Sequence, residues 1–86
     1  MKPSKIAVLG GGSWGTTTAS VISRNCHTVL WARDTKIVNQ VNREHRNHRY
    51  LDDAALHPKL TATENIHSAV SEADAVLIAV PISHFR

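Results

Sequence analysis

The sequence predicts an α/β fold, a doubly wound parallel sheet built β-α-β-α-β-α-β with strand order 3-2-1-4, and three observations predict it. Short apolar runs alternate with helix-compatible segments over short links, which implies parallel strands joined by right-handed crossovers. All four glycines, Gly10, Gly11, Gly12 and Gly15, fall within six positions at the end of the first run. Glycine loses the most backbone freedom on folding, so such a cluster marks a chain that must turn tightly or be approached closely. Finally, Ala75 to Val80 (AVLIAV) is apolar throughout, as suits a central parallel strand covered on both faces.

Taken in order, Lys5 to Leu9 (KIAVL) reads as a buried strand and Trp14 to Ser23 as the first helix. Thr16, Thr17 and Thr18 are poor helix-interior residues, since β-branched side chains lose rotamer freedom there, so this helix must rely on packing. Ala19 and Ile22 are expected toward the sheet, with Ser23 and Arg24 turned outward. Asn25 is expected to take the left-handed conformation at the helix exit, no glycine being available. The second strand is Thr28 to Ala32. Asp34 then caps a second helix reaching about Glu44, with Ile37, Val38 and Val41 as its apolar stripe. Residues 45–60 are polar and ambiguous; Tyr50 and Leu51 look like loop anchors, and Pro58 argues against helix. Leu60 to Thr63 supplies a third strand, Glu64 to Glu72 a third helix with Ile66, Ala69 and Val70 on one side, and Ala75 to Val80 the fourth strand, ended by Pro81. In this order the fourth strand lies beside the first, so a ligand crevice is expected between the glycine turn and Val80–Pro81.

Gly10, Gly12 and Gly15 form G-x-G-x-x-G where a strand turns into a helix, the context a Rossmann-type dinucleotide fingerprint requires. The first glycine permits the turn, the second lets backbone approach a pyrophosphate, and the third lets helix and strand pack closely. Phosphates then meet unpaired N–H groups at the positive end of the helix dipole. A P-loop is the nearest rival, but it needs Lys after the last glycine and this chain has Thr16. Ser13 can offer its N–H and hydroxyl to a phosphate oxygen. Trp14 either covers the pyrophosphate or packs as a core wall. At the end of the second strand, where NAD-preferring folds place a carboxylate for the ribose, stands Arg33. Its guanidinium can pair bidentately with a 2′-phosphate, which points to NADP(H), with NAD(H) left open. Asp34 is read mainly as the helix cap, and a solvated surface arginine is the plain alternative for Arg33.

Eighty-six residues make one small domain, expected to bury only about 60 to 65% of its unfolded surface. With 42% apolar and 20% charged residues the composition is that of an ordinary globular chain. A net charge of +3 permits anionic ligands without requiring nucleic acid. The single cysteine, Cys26, excludes an internal disulfide and fits a reducing compartment. The first apolar run is too short for a signal peptide, and nothing approaches the roughly 18 apolar residues of a membrane span. A cytoplasmic location with no membrane partner is expected. His45 and His48 lack a third ligand at metal spacing, so no metal is expected. Arg43, Arg46 and Arg49 recur every three residues and raise an RNA-binding alternative. Only Tyr50 is interleaved with them, whereas single strands stack on aromatics, so a solvated face is the reading and no nucleic-acid partner is expected. No nucleophile or triad can be assembled from Cys26 and the histidines, and no catalytic residue is assigned.

With these pieces in place the chain resembles the N-terminal cofactor domain of bacterial-type NAD(P)-dependent glycerol-3-phosphate dehydrogenases. The resemblance is carried by KIAVLGGGSWGTT (Lys5 to Thr17), LWARD (Leu30 to Asp34), NREHRNHRYL (Asn42 to Leu51) and ADAVLIAVP (Ala73 to Pro81), which cover most of the chain. It implies an enzyme interconverting sn-glycerol 3-phosphate and dihydroxyacetone phosphate with NAD(P)(H), in glycerophospholipid synthesis. It further implies cofactor contacts at Ser13, Trp14 and Arg33, a related position at Tyr50, and Pro81 on the nicotinamide side. The family's catalytic lysine and phosphate-binding residues are implied to belong to later segments and a helical substrate domain absent from this chain. Several positions depart from the family pattern. Gly11 stands for the usual Ala, Thr17-Thr18 for Ala-Leu, Cys26 for a glycine, and Asp52-Asp53 for Pro-Gly.

Two further readings stay open on the sequence: another NADP-dependent dehydrogenase of the same architecture, and a non-catalytic nucleotide-sensing module pairing through its fourth strand. An unfinished sheet edge at that strand is a pairing hazard, which leaves a homodimer open as well.

Overall fold

A computed structural model describes residues 4–51 and 55–79, the side chains of residues 49 and 50 excepted. Its elements are β1 (Lys5–Leu9), α1 (Ser13–Ile22), β2 (His27–Trp31), α2 (Thr35–Glu44), α3 (His48–Leu51), β3 (Thr61–Thr63), α4 (Ile66–Val70) and β4 (Ala75–Ile78). The four strands form one parallel sheet in the order β3-β2-β1-β4, the doubly wound order expected.

Register sorts the strand side chains between two faces, since neighbours in a strand point oppositely and paired residues point alike. Val8 pairs with Leu30, Leu30 with Ala62, and Val8 with Leu77. Val8, Leu30 and Ala62 form one buried cluster with Ala19 of α1 and Ile37, Val38 and Val41 of α2. The stripe read from the second helix is therefore the one that covers the sheet. On the other face lie Lys5, Ala7 and Leu9. Ala7 and Ala69 of α4 are fully buried, and the Lys5 ammonium donates to the carbonyls of Ser68 (3.1 Å) and Ser71 (2.6 Å) at the end of α4. Reversing the winding direction after β3 with right-handed crossovers requires α4 on this opposite face.

Several local expectations change. Asn25 is not left-handed. The exit from α1 is a run of turns in which the N–H groups of Asn25 and Cys26 both donate to the Ile22 carbonyl, and the non-glycine residues with positive φ among those described are His45 and Glu72. His45 (φ 56°, ψ 46°) closes α2 in the left-handed conformation instead. Ser23, expected outward, is buried and donates its hydroxyl to the Ser20 carbonyl at 2.7 Å. The third predicted helix, expected over Glu64 to Glu72, shrinks to five residues capped by Asn65, whose side chain accepts from the Ser68 N–H at 3.1 Å.

The two sheet edges differ. Along β3 the Asn42 side chain accepts from the Ala62 N–H (2.8 Å) and donates to its carbonyl (2.9 Å), filling hydrogen-bonding positions that an edge strand would leave open. The β4 edge has no such cover among the described residues. Its residues are exposed, Ile78 by 62%, instead of being covered on both faces. The apolar run reports what this strand is suited to pack against, whereas its position at the edge follows from strand order.

Candidate functional site

The site is built where β1 hands over to α1. Gly10 extends the parallel ladder by one bond, its N–H donating to the Trp31 carbonyl at 2.9 Å, and then turns the chain at φ 129°, a conformation L side chains rarely adopt. A Cβ on Gly15 would overlap the Gly10 carbonyl oxygen and stand 3.0 Å from the Ala79 Cβ. Only glycine there lets α1 lie against the ends of β1 and β4. Gly11 also lies close to its surroundings: an added Cβ would meet the Ala32 Cβ at 2.8 Å. With Ala32 opposite, an alanine at position 11 would crowd its methyl against that side chain.

Gly12 is different, because a Cβ added there would meet nothing within 4 Å. It is the N-cap of α1, with extended backbone (φ −74°) and no side chain capping the helix. The first helical bond runs from the Thr16 N–H to the Gly12 carbonyl at 2.9 Å. The N–H groups of Ser13, Trp14 and Gly15 therefore precede the ladder, at the positive end of the helix dipole. The first turn of α1 carries no acidic residue to compensate that end. Open space beside a glycine backbone and uncompensated N–H groups together fit a diphosphate.

The other expected residues arrange around this turn unequally. Ser13 is exposed as the first residue of α1, and Trp14 is 64% exposed, so it is no core wall. Arg33 is exposed just beyond β2, with its backbone fixed on both sides. Before it, the buried Ala32 donates its N–H to the Thr63 carbonyl at 3.1 Å. After it, the Asp34 carboxylate accepts from the Lys36 N–H at 2.8 Å as the N-cap of α2. The Trp31 indole N–H donates to the Glu64 carbonyl (2.9 Å), and the Thr35 hydroxyl to the Glu64 carboxylate (2.6 Å), joining the ends of β2 and β3 beside Arg33. Tyr50 belongs to α3, and its side chain lies outside the described residues, as do Val80 and Pro81. Just before them, Ala79 ties the end of β4 to β1, its N–H donating to the Leu9 carbonyl at 2.8 Å.

Sequence reasoning missed Thr16 and Asn47, both fully buried beneath the turn. The Thr16 hydroxyl donates to the Gly11 carbonyl at 3.2 Å. The Asn47 amide NH2 donates to that carbonyl and to the Thr16 hydroxyl oxygen, both at 2.9 Å. No periodicity announces Asn47, which comes 36 positions after Gly11. The arginine repeat, by contrast, is not carried by one helix: Arg43 lies in the last turn of α2, left-handed His45 follows the helix, and Arg49 lies in α3. His48 is paired with Glu44 at 3.3 Å. Among the described residues no three His, Cys, Asp or Glu side chains converge as a metal site would require, and no helix is long and apolar enough to cross a membrane. A polar cavity of about 250 Å3, lined by Ser23, Arg24, Asn25, Cys26, His27 and Lys59, opens at the opposite end of the sheet from the glycine turn.

The family model for the N-terminus of NAD-dependent glycerol-3-phosphate dehydrogenase matches residues 5–86. The chain belongs to that family. A relative named glycerol-3-phosphate dehydrogenase (NAD(P)+) 2, from Sphingopyxis alaskensis, is 49% identical over 82 residues, covering 95% of this chain and 25% of the relative. One from Acinetobacter baylyi is 42% identical over 83 residues, covering 95% of this chain and 23% of the relative. Among solved structures, the Coxiella burnetii glycerol-3-phosphate dehydrogenase is similar with a TM-score of 0.81 at 32% identity, over 92% of this chain and 25% of that one. The Plasmodium falciparum enzyme reaches 0.86 at 26% identity, over 96% and 26%. This chain thus spans about a quarter of the length of the relatives it matches. The family relationship supports a nicotinamide dinucleotide as cofactor, matching the glycine turn.

Two alanine substitutions separate the roles of the glycines. Gly15→Ala should destabilise the chain by about 1 to 3 kcal/mol or more, the usual cost of forcing atoms into a packed site. Gly12→Ala should cost at most about 1 kcal/mol, from cap preference alone. Urea unfolding of both variants checks this; equal losses would contradict the assignment of crowded and open glycines.

Proposed function

We propose that this chain is the cofactor-binding part of a glycerol-3-phosphate dehydrogenase and prefers NADP(H). The observation that supports it most directly is the open space beside Gly12 facing the unladdered N–H groups of α1. Gly12, Ser13 and the first turn of α1 would hold the diphosphate, with Gly10 and Gly15 shaping the turn and the exposed Trp14 beside it. Arg33 would take the 2′-phosphate on the adenosine side. Tyr50 and Pro81 complete the proposed cofactor contacts by their match to the family. A nicotinamide dinucleotide held there would supply the hydride acceptor or donor for interconverting the secondary alcohol of glycerol 3-phosphate and the ketone of dihydroxyacetone phosphate, the accompanying proton passing to or from a group of the substrate site. The part played by this chain is to bind and orient. Hydride transfer also needs substrate held against the ring, and those groups are proposed to lie in a helical domain of the longer protein.

The exposed position of Arg33 just beyond β2 supports the preference for NADP(H), beside an Asp34 whose carboxylate caps α2. Arg33→Ala should weaken NADPH binding by roughly 10- to 100-fold, the worth of a charge-assisted bidentate contact, and NADH binding by less than about threefold. Calorimetric titration decides; equal losses for both cofactors would remove the phosphate role. The 86 residues alone should bind NADPH without oxidising it in the presence of dihydroxyacetone phosphate. Sustained loss of absorbance from NADPH would show that the chain carries its own catalytic groups.

A further inference from the structure

Beneath the glycine turn lies a polar group whose arrangement is poor for stability alone. Asn47 is fully buried, its NH2 is shared between the Gly11 carbonyl and the Thr16 hydroxyl, and its Oδ1 has no hydrogen-bond partner. The orientation of the amide is fixed by chemistry, because the Gly11 carbonyl can only accept. A buried carbonyl without a partner is costly, and an apolar side chain of the same shape would avoid that cost.

What the arrangement does is set one peptide plane. In a trans peptide the C=O of one residue and the N–H of the next point in opposite directions, and the described residues contain no cis peptide. With the Gly11 carbonyl drawn inward by Asn47 and Thr16, the Gly12 N–H is directed outward, at the residue whose missing Cβ leaves open space. This peptide has a flexible residue on either side, since Gly11 and Gly12 both lack side chains to restrict rotation. Something outside the turn must therefore hold the plane. Asn47 is suited to that task because its own backbone is anchored: its carbonyl accepts from the Leu51 N–H at 2.8 Å, at the start of α3.

We propose that Asn47 is a positioning residue of the cofactor site, holding the Gly11–Gly12 peptide so that the Gly12 N–H donates to the dinucleotide's diphosphate. This rests on the dinucleotide reading above and goes beyond it by assigning the segment between α2 and α3 a part in phosphate recognition.

The test uses the 15N-labelled chain, NADPH, and the variants Asn47→Leu and Asn47→Asp, each close in shape to the original and unable to donate as the amide does. Asn47→Leu also removes the unpartnered oxygen and leaves the Thr16 hydroxyl to bond the Gly11 carbonyl, so it should fold. In the unaltered chain, saturating NADPH should move the Gly12 amide resonance downfield. In either folded variant the dissociation constant should rise roughly tenfold, the loss of one well-aimed charge-assisted hydrogen bond. At saturation the downfield shift of Gly12 should fall below half its original size while the Arg33 amide still responds. A residue needed only for packing would leave the Gly12 shift at saturation unchanged. If the unaltered chain binds NADPH and the variants show the same affinity and the same Gly12 shift, the role of Asn47 is overturned and the cofactor reading stands. If the unaltered chain does not bind NADPH at all, the cofactor reading falls and this assignment with it.

Discussion

The structure depends on how closely α1 can approach the strand it follows. Gly15 has no side chain, and the Gly10 carbonyl occupies the place a Cβ would take. This contact brings the N-terminus of a ten-residue helix to the carboxyl ends of β1 and β4. Everything attributed to the site follows from that position: N–H groups before the first helical bond, a dipole end without a compensating carboxylate, and a glycine whose outer side is open. The three glycines of the fingerprint are thus unlike one another. Gly10 turns, Gly15 permits contact, and Gly12 leaves room.

Burial on the two faces of the sheet supports this turn in different ways. The α1–α2 face carries the apolar cluster from Val8 to Ala62, and the turn is continuous with it through Ala32 and Ile37, which both lie near Gly11. The α4 face depends more on polar ties, notably the Lys5 ammonium on the last carbonyls of α4 and the Asp74 carboxylate accepting from the Lys5 N–H at 2.8 Å. A cation at a helix C-terminus opposes the negative end of the dipole, a contribution of roughly 0.3 to 1 kcal/mol when exposed. The α1–α2 face is therefore held mainly by packing, and the α4 face by more charge and hydrogen bonding.

Much of this was legible in the residues because it is local or periodic. The strand KIAVL, the glycine spacing, the Asp34 cap and the Ile37, Val38 and Val41 stripe each follow from neighbours in sequence; the alternation of elements implies parallel strands, and the dinucleotide fingerprint their order. What could not be read depends on contacts across the fold. Thr16 looks like a poor helix residue until its hydroxyl is seen against the Gly11 carbonyl. Asn42 looks like a solvated helix residue until its amide is seen pairing with Ala62, 20 positions away. Chemical type favours Asn25 for a left-handed conformation, yet the one that closes a helix is at His45, at the end of α2. The arginine repeat misleads for a related reason, since regular spacing has meaning only within one continuous helix.

Where a diphosphate sits is the most direct test of the site at the glycine turn. A crystal structure of the chain with NADPH should place diphosphate oxygens about 2.7 to 3.1 Å from the backbone nitrogens of Gly12 and Ser13, within hydrogen-bond range. Density for the diphosphate at another part of the sheet, with the space beside Gly12 filled by the protein's own side chains, would contradict it.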